Sequence, residues 1–546
     1  WGINIALCNE YCSRQRFPMV FNYQHFLGRV TNYLLPWLAL TAQLPYEAGS
    51  VMPNVMSFSM AVGSPMLITF SLMMTIHNRR WLERKYKRFN RHYKYGPFIT
   101  RLVGVRSFLE AAQQVPIRMS RGNGWLASLI LLPGNDLWWT RLDGHIRAVR
   151  RGLTLSLVAQ ISVAVTAWIL TIIGSFGSAL GNHAEGLVLA SSTLWTWLVP
   201  IILGWITVGT QSKSDGLESA LMGAEAYLAL EPNGNQPAPQ PNVNGPAPQQ
   251  NGNNQPLQAA QQSFKVVSPQ DPHDLDVFGF SIFGDEIQQG PVYNYARMFT
   301  WRVTAQRLFS YFERAADNVQ SHRDMLQAQI HEDQMNHGFQ GGIPLNQLHN
   351  LQLDLQSLEL SEYPTEDEVG PDLWFHLISA FFMAVFVQWG TAGAAIVIAY
   401  LTDAKGLGCR SGSYLLYGVL STIAFGLFFL SAVASRGAVL RGPTPSNERR
   451  SLAFQLLRAA AVVARLGGRV VAVANAAWIV LSSLWELVGF FDNCWCEGTQ
   501  LSWGDRAWVA LFKNTIELKD YATASWAGGV FMTSFVMAAS YGVFWL

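Results

Sequence analysis

Seven long apolar stretches without lysine, arginine or aspartate constrain the fold of this chain more than any other feature. They are Val55–Ile76, Leu153–Phe176, Leu187–Val208, Leu373–Leu401, Tyr414–Ala434, Val470–Phe491 and Ala522–Trp545. The hydrocarbon core of a bilayer needs about 20 apolar residues in a helix, because every backbone polar group inside it must be bonded within the segment. A surface helix of a soluble protein would show a polar stripe at the helical period, and these stretches do not. The sequence therefore predicts transmembrane helices.

An eighth stretch, Phe26–Leu44, matches a span less well because it contains Arg29 and Pro36. We predict that it crosses the membrane, although a re-entrant segment or an interfacial helix would also fit its short apolar part. Charged residues make up 14% of the chain, against about 25% in soluble domains. These observations predict an all-α fold, a polytopic transmembrane helix bundle of about eight spans with cytoplasmic amphipathic helices.

The lysines and arginines are concentrated in three blocks between the spans. The first, which we call the basic strip, contains Arg79, Arg80, Arg84, Lys85, Lys87, Arg88, Arg91 and Lys94. The other two lie within 141–151 and 436–469. Short loops rich in lysine and arginine stay in the cytoplasm. This rule predicts that the long insert and the C-terminus are cytoplasmic in an integral protein of the plasma membrane or an endomembrane. It places the N-terminus, with Cys8, on the side opposite Cys494.

The alternation of apolar and polar stretches predicts a division of the chain into seven parts. These are an N-terminal segment with the weak and one strong span (1–76), a basic cytoplasmic region with interfacial helices (77–152), a transmembrane hairpin (153–209), a cytoplasmic insert (210–371), a second hairpin (372–434), a basic cytoplasmic amphipathic helix (435–469) and a third hairpin with an outward cysteine-containing loop (470–546). Because the chain starts at Trp1 and stops within an apolar run, we expect that both ends are cut or processed.

Two segments of the insert have distinctive compositions. Residues 231–262 consist mostly of Pro, Asn, Gln and Gly, which cannot bury enough apolar surface to offset the entropy of ordering. We therefore predict a disordered linker there. Further on, Tyr293–Ala316 has the pattern of a basic amphipathic helix. Such a helix either lies on an anionic membrane surface or packs against the ends of the spans.

Polar residues inside predicted spans are candidate functional residues, because they are costly in the bilayer. They are Gln160, His376, Gln388, Asn475 and Glu486. His376 and Glu486 lie near the ends of their spans and would also fit an interfacial position. Pro65 and Pro200 interrupt two further spans, and broken spans mark binding sites in transporters. Close packing through small residues is the alternative explanation for the glycines within spans.

The cysteines predict a disulfide and no metal site. Cys409, Cys494 and Cys496 lie in loops on the same predicted side, so Cys409 could bond either of the other two in an oxidising compartment. A zinc site built from Cys8, Cys12 and the Cys494/Cys496 pair would need thiolates from both sides of the membrane. The predicted topology therefore argues against it.

The predicted partners are lipids and proteins. The basic strip interleaves cations with aromatic residues, and segments of this kind attract anionic lipids at the cytoplasmic face, although topological anchoring alone would also explain it. The insert, 210–371, could recruit protein partners. The net charge of +2 gives no reason to expect nucleic acid.

A resemblance to a known group rests on four runs: GRVTNYLLPWLALTAQLPYE (Gly28–Glu47), NVMSFSMAVGSPMLITFSL (Asn54–Leu72), FGFSIFGDE (Phe278–Glu286) and GPVYNYARMFTW (Gly290–Trp301). These runs resemble polytopic membrane proteins of filamentous fungi. That group has no assigned activity, so the resemblance implies a fungal membrane protein and transfers no site residues.

We find no nucleophile elbow, Walker loop, zincin helix or kinase signature, and we predict neither an enzyme nor a bound cofactor. The broken spans favour a transporter or channel. A membrane scaffold or sensor that recruits partners through 210–371 is the main alternative. A seven-helix receptor is the third hypothesis: if Phe26–Leu44 does not span, seven helices remain, and the N-terminus and all five cysteines lie outside the cell.

Overall fold

The computed structural model describes residues 2–12, 23–48, 50–92, 96–114, 136–177, 183–210, 226–229, 264–267, 284–333, 370–402, 404–441, 452–510 and 516–545. The predicted disordered linker at 231–262 lies outside these ranges. Within them the chain is an all-α bundle, as predicted from the apolar stretches.

The helices are numbered in chain order. They are α1 (Ile5–Cys12), α2 (Tyr23–Arg29), α3 (Leu35–Thr41), α4 (Val51–Gly63), α5 (Pro65–His92), α6 (Gly96–Ala112), α7 (Asp136–Val149), α8 (Leu155–Gly177), α9 (His183–Leu194), α10 (Leu198–Val208), α11 (Asn294–Asp333), α12 (Pro371–Leu401), α13 (Cys409–Leu440), α14 (Leu452–Leu487), α15 (Cys494–Glu497), α16 (Gln500–Trp503) and α17 (Ile516–Trp545). A π-helix, Val30–Leu34, joins α2 to α3, and short 3₁₀ turns lie at Gly284–Ile287, Pro291–Tyr293 and Gly504–Arg506.

Four short strands form two antiparallel pairs. Strand β1 (Gly2–Asn4) pairs with β4 (Trp508–Ala510), and β2 (Ala226–Ala229) pairs with β3 (Phe264–Val267). The first pair brings the beginning of the chain beside the segment that precedes the last helix.

Six segments are long and apolar enough to cross a membrane: Leu155–Phe176, Glu185–Val208, Pro371–Leu401, Cys409–Leu440, Leu452–Leu487 and Ala524–Trp545. Helix α12 packs against α5, α9, α13 and α17, and α13 lies along α14. Large apolar side chains such as Phe375, Phe382 and Phe531 remain exposed on the outer faces of these helices. An exposed apolar band suits helices whose outer surface faces lipid.

Helices α12 and α17 approach closely through glycine. A Cβ at Gly390 would lie 2.3 Å from a Val536 methyl, and one at Gly529 would lie 2.6 Å from Ile398. Small residues allow this approach in membranes, where no hydrophobic effect drives helices together.

The bundle has two chemically distinct ends. We call one the disulfide end, because Cys8 is bonded to Cys494 and Cys409 to Cys496 there. We call the other the basic end. It holds the second half of α5 and the ends of α10 and α17, since Arg79 donates to the carbonyl of Thr207 at 2.7 Å and Arg80 to that of Val543 at 2.9 Å.

Phe26–Leu44, the stretch that matches a span less well, connects the two ends. Its helical path runs without interruption from residue 23 to residue 41, about 28 Å at 1.5 Å per residue. Arg29 donates to the carbonyl of Glu486 at the disulfide end, and Gln43 accepts from Arg151, which is bonded to Thr210 at the basic end. This segment therefore crosses the bundle.

The strong predicted span Val55–Ile76 is not a straight helix. Helices α4 and α5 meet at Ser64 at an angle of 99°. The segment before α4 lies at the basic end, because Gly290 approaches the carbonyl of Glu47 and is itself bonded to Gln114. Helix α5 returns to that same end. The prediction of a simple span is wrong here, since the pair enters and leaves at one end.

The predicted side of the N-terminus is also wrong. The Cys8–Cys494 bond, with Cα atoms 6.0 Å apart, puts the N-terminal segment at the disulfide end. Among the described residues, seven segments then run between the two ends: the six apolar segments above and residues 23–41, with the bent pair α4–α5 in addition. The sequence did not predict this arrangement, because Arg29 and the short apolar part of Phe26–Leu44 make that stretch a poor match to a span.

The basic amphipathic pattern of Tyr293–Ala316 corresponds to the first half of α11, which packs on the bundle. Trp301 Nε1 donates to the Leu109 carbonyl at 2.8 Å, and Arg297 donates to the carbonyls of Gln113 and Gly290. Of the two interpretations, the structure has the helix against the ends of the spans. The predicted separate helix within 435–469 is likewise divided between α13 and α14, which extend beyond the apolar runs.

Candidate functional site

The break between α4 and α5 has a local cause in the sequence. Pro65 has no backbone N–H and disfavours helical geometry at the preceding residue. Ser64 accordingly has φ −140° and ψ 81°, and its backbone N–H closes α4 on the carbonyl of Met60. The break leaves the last carbonyls of α4 without partners in their own helix.

Side chains of the neighbouring spans bond those carbonyls. Asn475 Nδ2 donates to the carbonyls of Gly63 at 2.7 Å and Tyr417 at 3.0 Å. The Tyr417 hydroxyl donates to the carbonyl of Val62 at 2.8 Å. Ser64 Oγ donates to the carbonyl of Ser421 at 3.0 Å. These contacts hold the tip of the re-entrant pair between α13 and α14.

A third span contributes to the same place. Ser421 Oγ donates to Gln388 Oε1, 3.3 Å away on α12. We call Gly63, Ser64, Gln388, Tyr417, Ser421 and Asn475 the break cluster. Each of the five side chains is at least 98% buried. The structure thus brings together two of the five polar residues singled out from the sequence, Gln388 and Asn475.

One atom of the break cluster has no partner. Both neighbours of the Asn475 amide nitrogen are carbonyl acceptors, so the orientation of the amide is fixed by its bonds. Its other atom, Oδ1, is buried and accepts no hydrogen bond from the described residues. A buried acceptor in this condition costs about 1–3 kcal/mol, so Oδ1 can accept a further hydrogen bond.

The other three polar candidates lie elsewhere. His376 is at the basic end, where its ring stacks on that of His77 with centroids 4.6 Å apart. Gln160 is on α8, a helix that packs against α3 and α9. Glu486 is at the disulfide end, where Arg410 Nε donates to it at 2.8 Å.

The Glu486 carboxylate belongs to a four-residue ion cluster. Arg29 lies 3.6 Å from Glu486 and 3.2 Å from Asp492, and Arg410 also donates to Asp492. Burial raises the pKa of Asp492, but Arg410 and Arg29 outweigh it and hold that pKa below its ordinary value. Sequence reasoning did not find this cluster, because Arg29 and Glu486 are far apart in the chain.

Both disulfides end on the segment of α15. Cys409 bonds Cys496, with Cα atoms 4.7 Å apart, and Cys8 bonds Cys494. Cys8, Cys494 and Cys496, three of the four thiols that a zinc site would have used, are thus oxidised in disulfides. The side chain of Cys12 is not among those that the structure describes. The ion cluster and the two disulfides thus lie together at the disulfide end.

The basic strip is only partly engaged. Arg79 and Arg80 cap the carbonyl ends of α10 and α17, and Lys85 lies 5.8 Å above the Trp81 ring. Arg80, Arg84 and Lys87 line a cavity, while Arg88 and Arg91 line a neighbouring groove. Lys94 lies outside the described residues.

The chain is a multi-pass membrane protein by the length and composition of its helices. No family model matches it, and neither a curated protein nor a solved structure is similar to it.

Proposed function

We propose that this protein is a transporter or channel, and that the break cluster binds the transported species. The observation that carries the proposal is the unpaired Oδ1 of Asn475 at the meeting point of two half-helices. Discontinuous helices that end inside the bilayer form the binding sites of many transporters. None of the residues lining the described cavities at the basic end belongs to the break cluster, so the proposal requires a second conformation in which the cluster opens to one side.

The chemistry of the cluster limits what it can bind. Its groups are carbonyls, hydroxyls and amides, and none of its side chains carries a formal charge. The free atom is an acceptor at the C-terminal end of α4, where the helix dipole is negative. The bound species is therefore a monovalent cation or a small solute that donates hydrogen bonds.

Flux into liposomes tests the proposal. Purified protein would be reconstituted, and the entry of H⁺, Na⁺, K⁺ and a panel of labelled amino acids, sugars and polyols would be measured. We expect accelerated entry of at least one of these. The Asn475→Leu variant should lose it by a factor of ten or more, about 1.4 kcal/mol or more, because the acceptor and the amide bonds to the Gly63 and Tyr417 carbonyls disappear.

The matched control is Gln160→Leu, which removes another amide with a buried unpaired oxygen from a span outside the cluster. It should leave the flux unchanged. Ser421→Ala provides a milder variant at the cluster if the leucine variant is not monodisperse. Absence of any flux from folded protein, or equal flux in the wild-type and both cluster variants, would rule out the proposal.

We infer further that the basic end faces the cytoplasm and the disulfide end faces an oxidising compartment. Two independent signals support this orientation: the positive charge of the basic strip and the two disulfides at the opposite end. We also propose a fungal source, in line with the sequence resemblance.

A further inference from the structure

A cavity of about 700 Å³ opens at the basic end between α5 and the first turn of α12. Pockets that hold small ligands have volumes of about 300–1,000 Å³. The cavity is separate from the break cluster, and the transport proposal does not use it.

The walls of the cavity carry an excess of available positive charge. Arg80, Arg84 and Lys87 contribute three cations, against Glu83 and Asp372. Glu83 is already paired with Lys87 at 2.9 Å. Asp372 lies near the buried Arg302. Burial lowers the pKa of Arg302 to about 10, although the negative charge of Asp372 opposes this shift. Arg84 and the remaining donors of Arg80 therefore face the cavity as an anion-binding pair.

The inner wall adds a buried donor or acceptor without a partner. His376 is 5% exposed, its ring stacks on His77 within 6° of parallel, and its Nδ1 has no hydrogen-bond partner among the described residues. The other member of the stack is bonded, since His77 Nε2 lies 3.3 Å from Ser379 Oγ. His376 lines the cavity, but this nitrogen is itself buried, so a ligand bonds it only after the His77–His376 stack shifts.

One side of the cavity continues into the lipid-facing surface. Phe375 lines the cavity and is 69% exposed, and Ile378 and Phe382 follow it along the exposed face of α12. A ligand with an anionic head and an apolar tail would place its head between the arginines and its tail along these side chains. A free anion would make no use of this apolar face.

We propose that this cavity binds the phosphate-bearing headgroup of an anionic phospholipid. Arginine binds phosphate oxygens in a bidentate manner, which suits Arg84 and the partly anchored Arg80. The acyl chains lie against Phe375 and Phe382. The lipid thus occupies the junction of α5, one arm of the re-entrant pair, with α12.

Lipid occupancy measured on the full chain tests the proposal. Protein in nanodiscs of phosphatidylcholine doped with phosphatidylserine, phosphatidylinositol or phosphatidylinositol phosphates would be released and analysed by native mass spectrometry. We expect one bound anionic lipid that survives release. The double variant Arg80→Gln/Arg84→Gln should lower its occupancy at least tenfold, and His376→Phe, which keeps a stacked ring, should lower it severalfold.

The control is Arg88→Gln/Arg91→Gln, which removes the same charge from the adjacent groove and should keep at least half of the occupancy. Equal loss in both double variants would mean diffuse surface attraction and overturn the proposal. Displacement of the lipid by inorganic phosphate or soluble inositol phosphates at equal concentration would assign the cavity to a free anion instead. Absence of any retained anionic lipid would also refute it.

Discussion

Gly63 is the residue that lets α4 approach the backbone of α14. A Cβ at this position would lie 1.9 Å from the carbonyl oxygen of Ala472 and 2.8 Å from its carbonyl carbon. These are backbone atoms of α14, which cannot rotate away as a side chain would. The close approach also allows the Gly63 carbonyl to reach Asn475. Glycine is therefore required at this position because a side chain would not fit, and not because the backbone conformation demands it.

We predict that Gly63→Ala destabilises the protein by about 1–3 kcal/mol, the range for overpacking a filled interior. The measurement is thermal unfolding of the detergent-solubilised protein, followed by intrinsic fluorescence and size exclusion. Gly426→Ala is the matched control, because a Cβ there meets no atom within 4 Å. An unchanged midpoint for Gly63→Ala would show that α4 and α14 are not in contact as described.

At this scale the sequence predicted the chemical type of the important residues better than their partners. Asn475 and Gln388 stand out in any sequence because amides are rare in spans. Nothing local indicates that Arg29 would meet Glu486, 457 positions away. Ionisable residues in apolar surroundings must find partners, but which ones they find depends on the packing of whole helices.

The helices show what hydrophobicity can and cannot predict. Apolar runs located every long span, because the bilayer sets a minimum length. They could not distinguish a crossing from a re-entrant pair: Val55–Ile76 is long enough for either, and only the bend at Ser64 decides. Pro65 indicated an interruption, but the 99° angle depends on the contacts of the tip with α13 and α14.

The pairing of the cysteines gives a prediction at the level of elements. Cys8→Ser should free Cys494 for maleimide labelling without prior reduction, while Cys409 and Cys496 stay protected. Because Cys12 is a fifth thiol, the experiment is done in a Cys12→Ser background. Peptide mapping by mass spectrometry under non-reducing conditions should find the 8–494 and 409–496 bonds. Recovery of 8–496 or 409–494 instead would contradict the described arrangement of α15.

For the whole molecule, the re-entrant pair changes the arrangement of the chain relative to the membrane. Seven crossings put the first residues at one end and the last helix terminus at the other. The seven-helix hypothesis predicted the same odd number of crossings, but it counted Val55–Ile76 and left out Phe26–Leu44. The eight-span prediction missed this odd number because Phe26–Leu44, the less apolar stretch, runs between the two ends, while the strongly apolar Val55–Ile76 does not.

Single cysteines test this arrangement. We predict that Val51→Cys and Lys87→Cys react with an impermeant maleimide from the same side, because α4 begins and α5 ends at the basic end. Both side chains are exposed, at 81% and 62%. Trp503→Cys at the disulfide end should react from the other side only. Labelling of Val51→Cys and Lys87→Cys from opposite sides would show that the pair is a simple span.

The Cys8–Cys494 bond also imposes an order on biogenesis. Its two thiols are 486 residues apart in the chain, and ribosomes add about 5–20 residues per second. Cys8 is therefore made about 25–100 s before its partner exists. In the proposed orientation, Cys8 enters the oxidising compartment before Cys494 and stays reduced, or in a temporary bond, until Cys494 arrives. The proposed orientation therefore makes maturation depend on thiol–disulfide exchange in that compartment while residues 9–494 are synthesised.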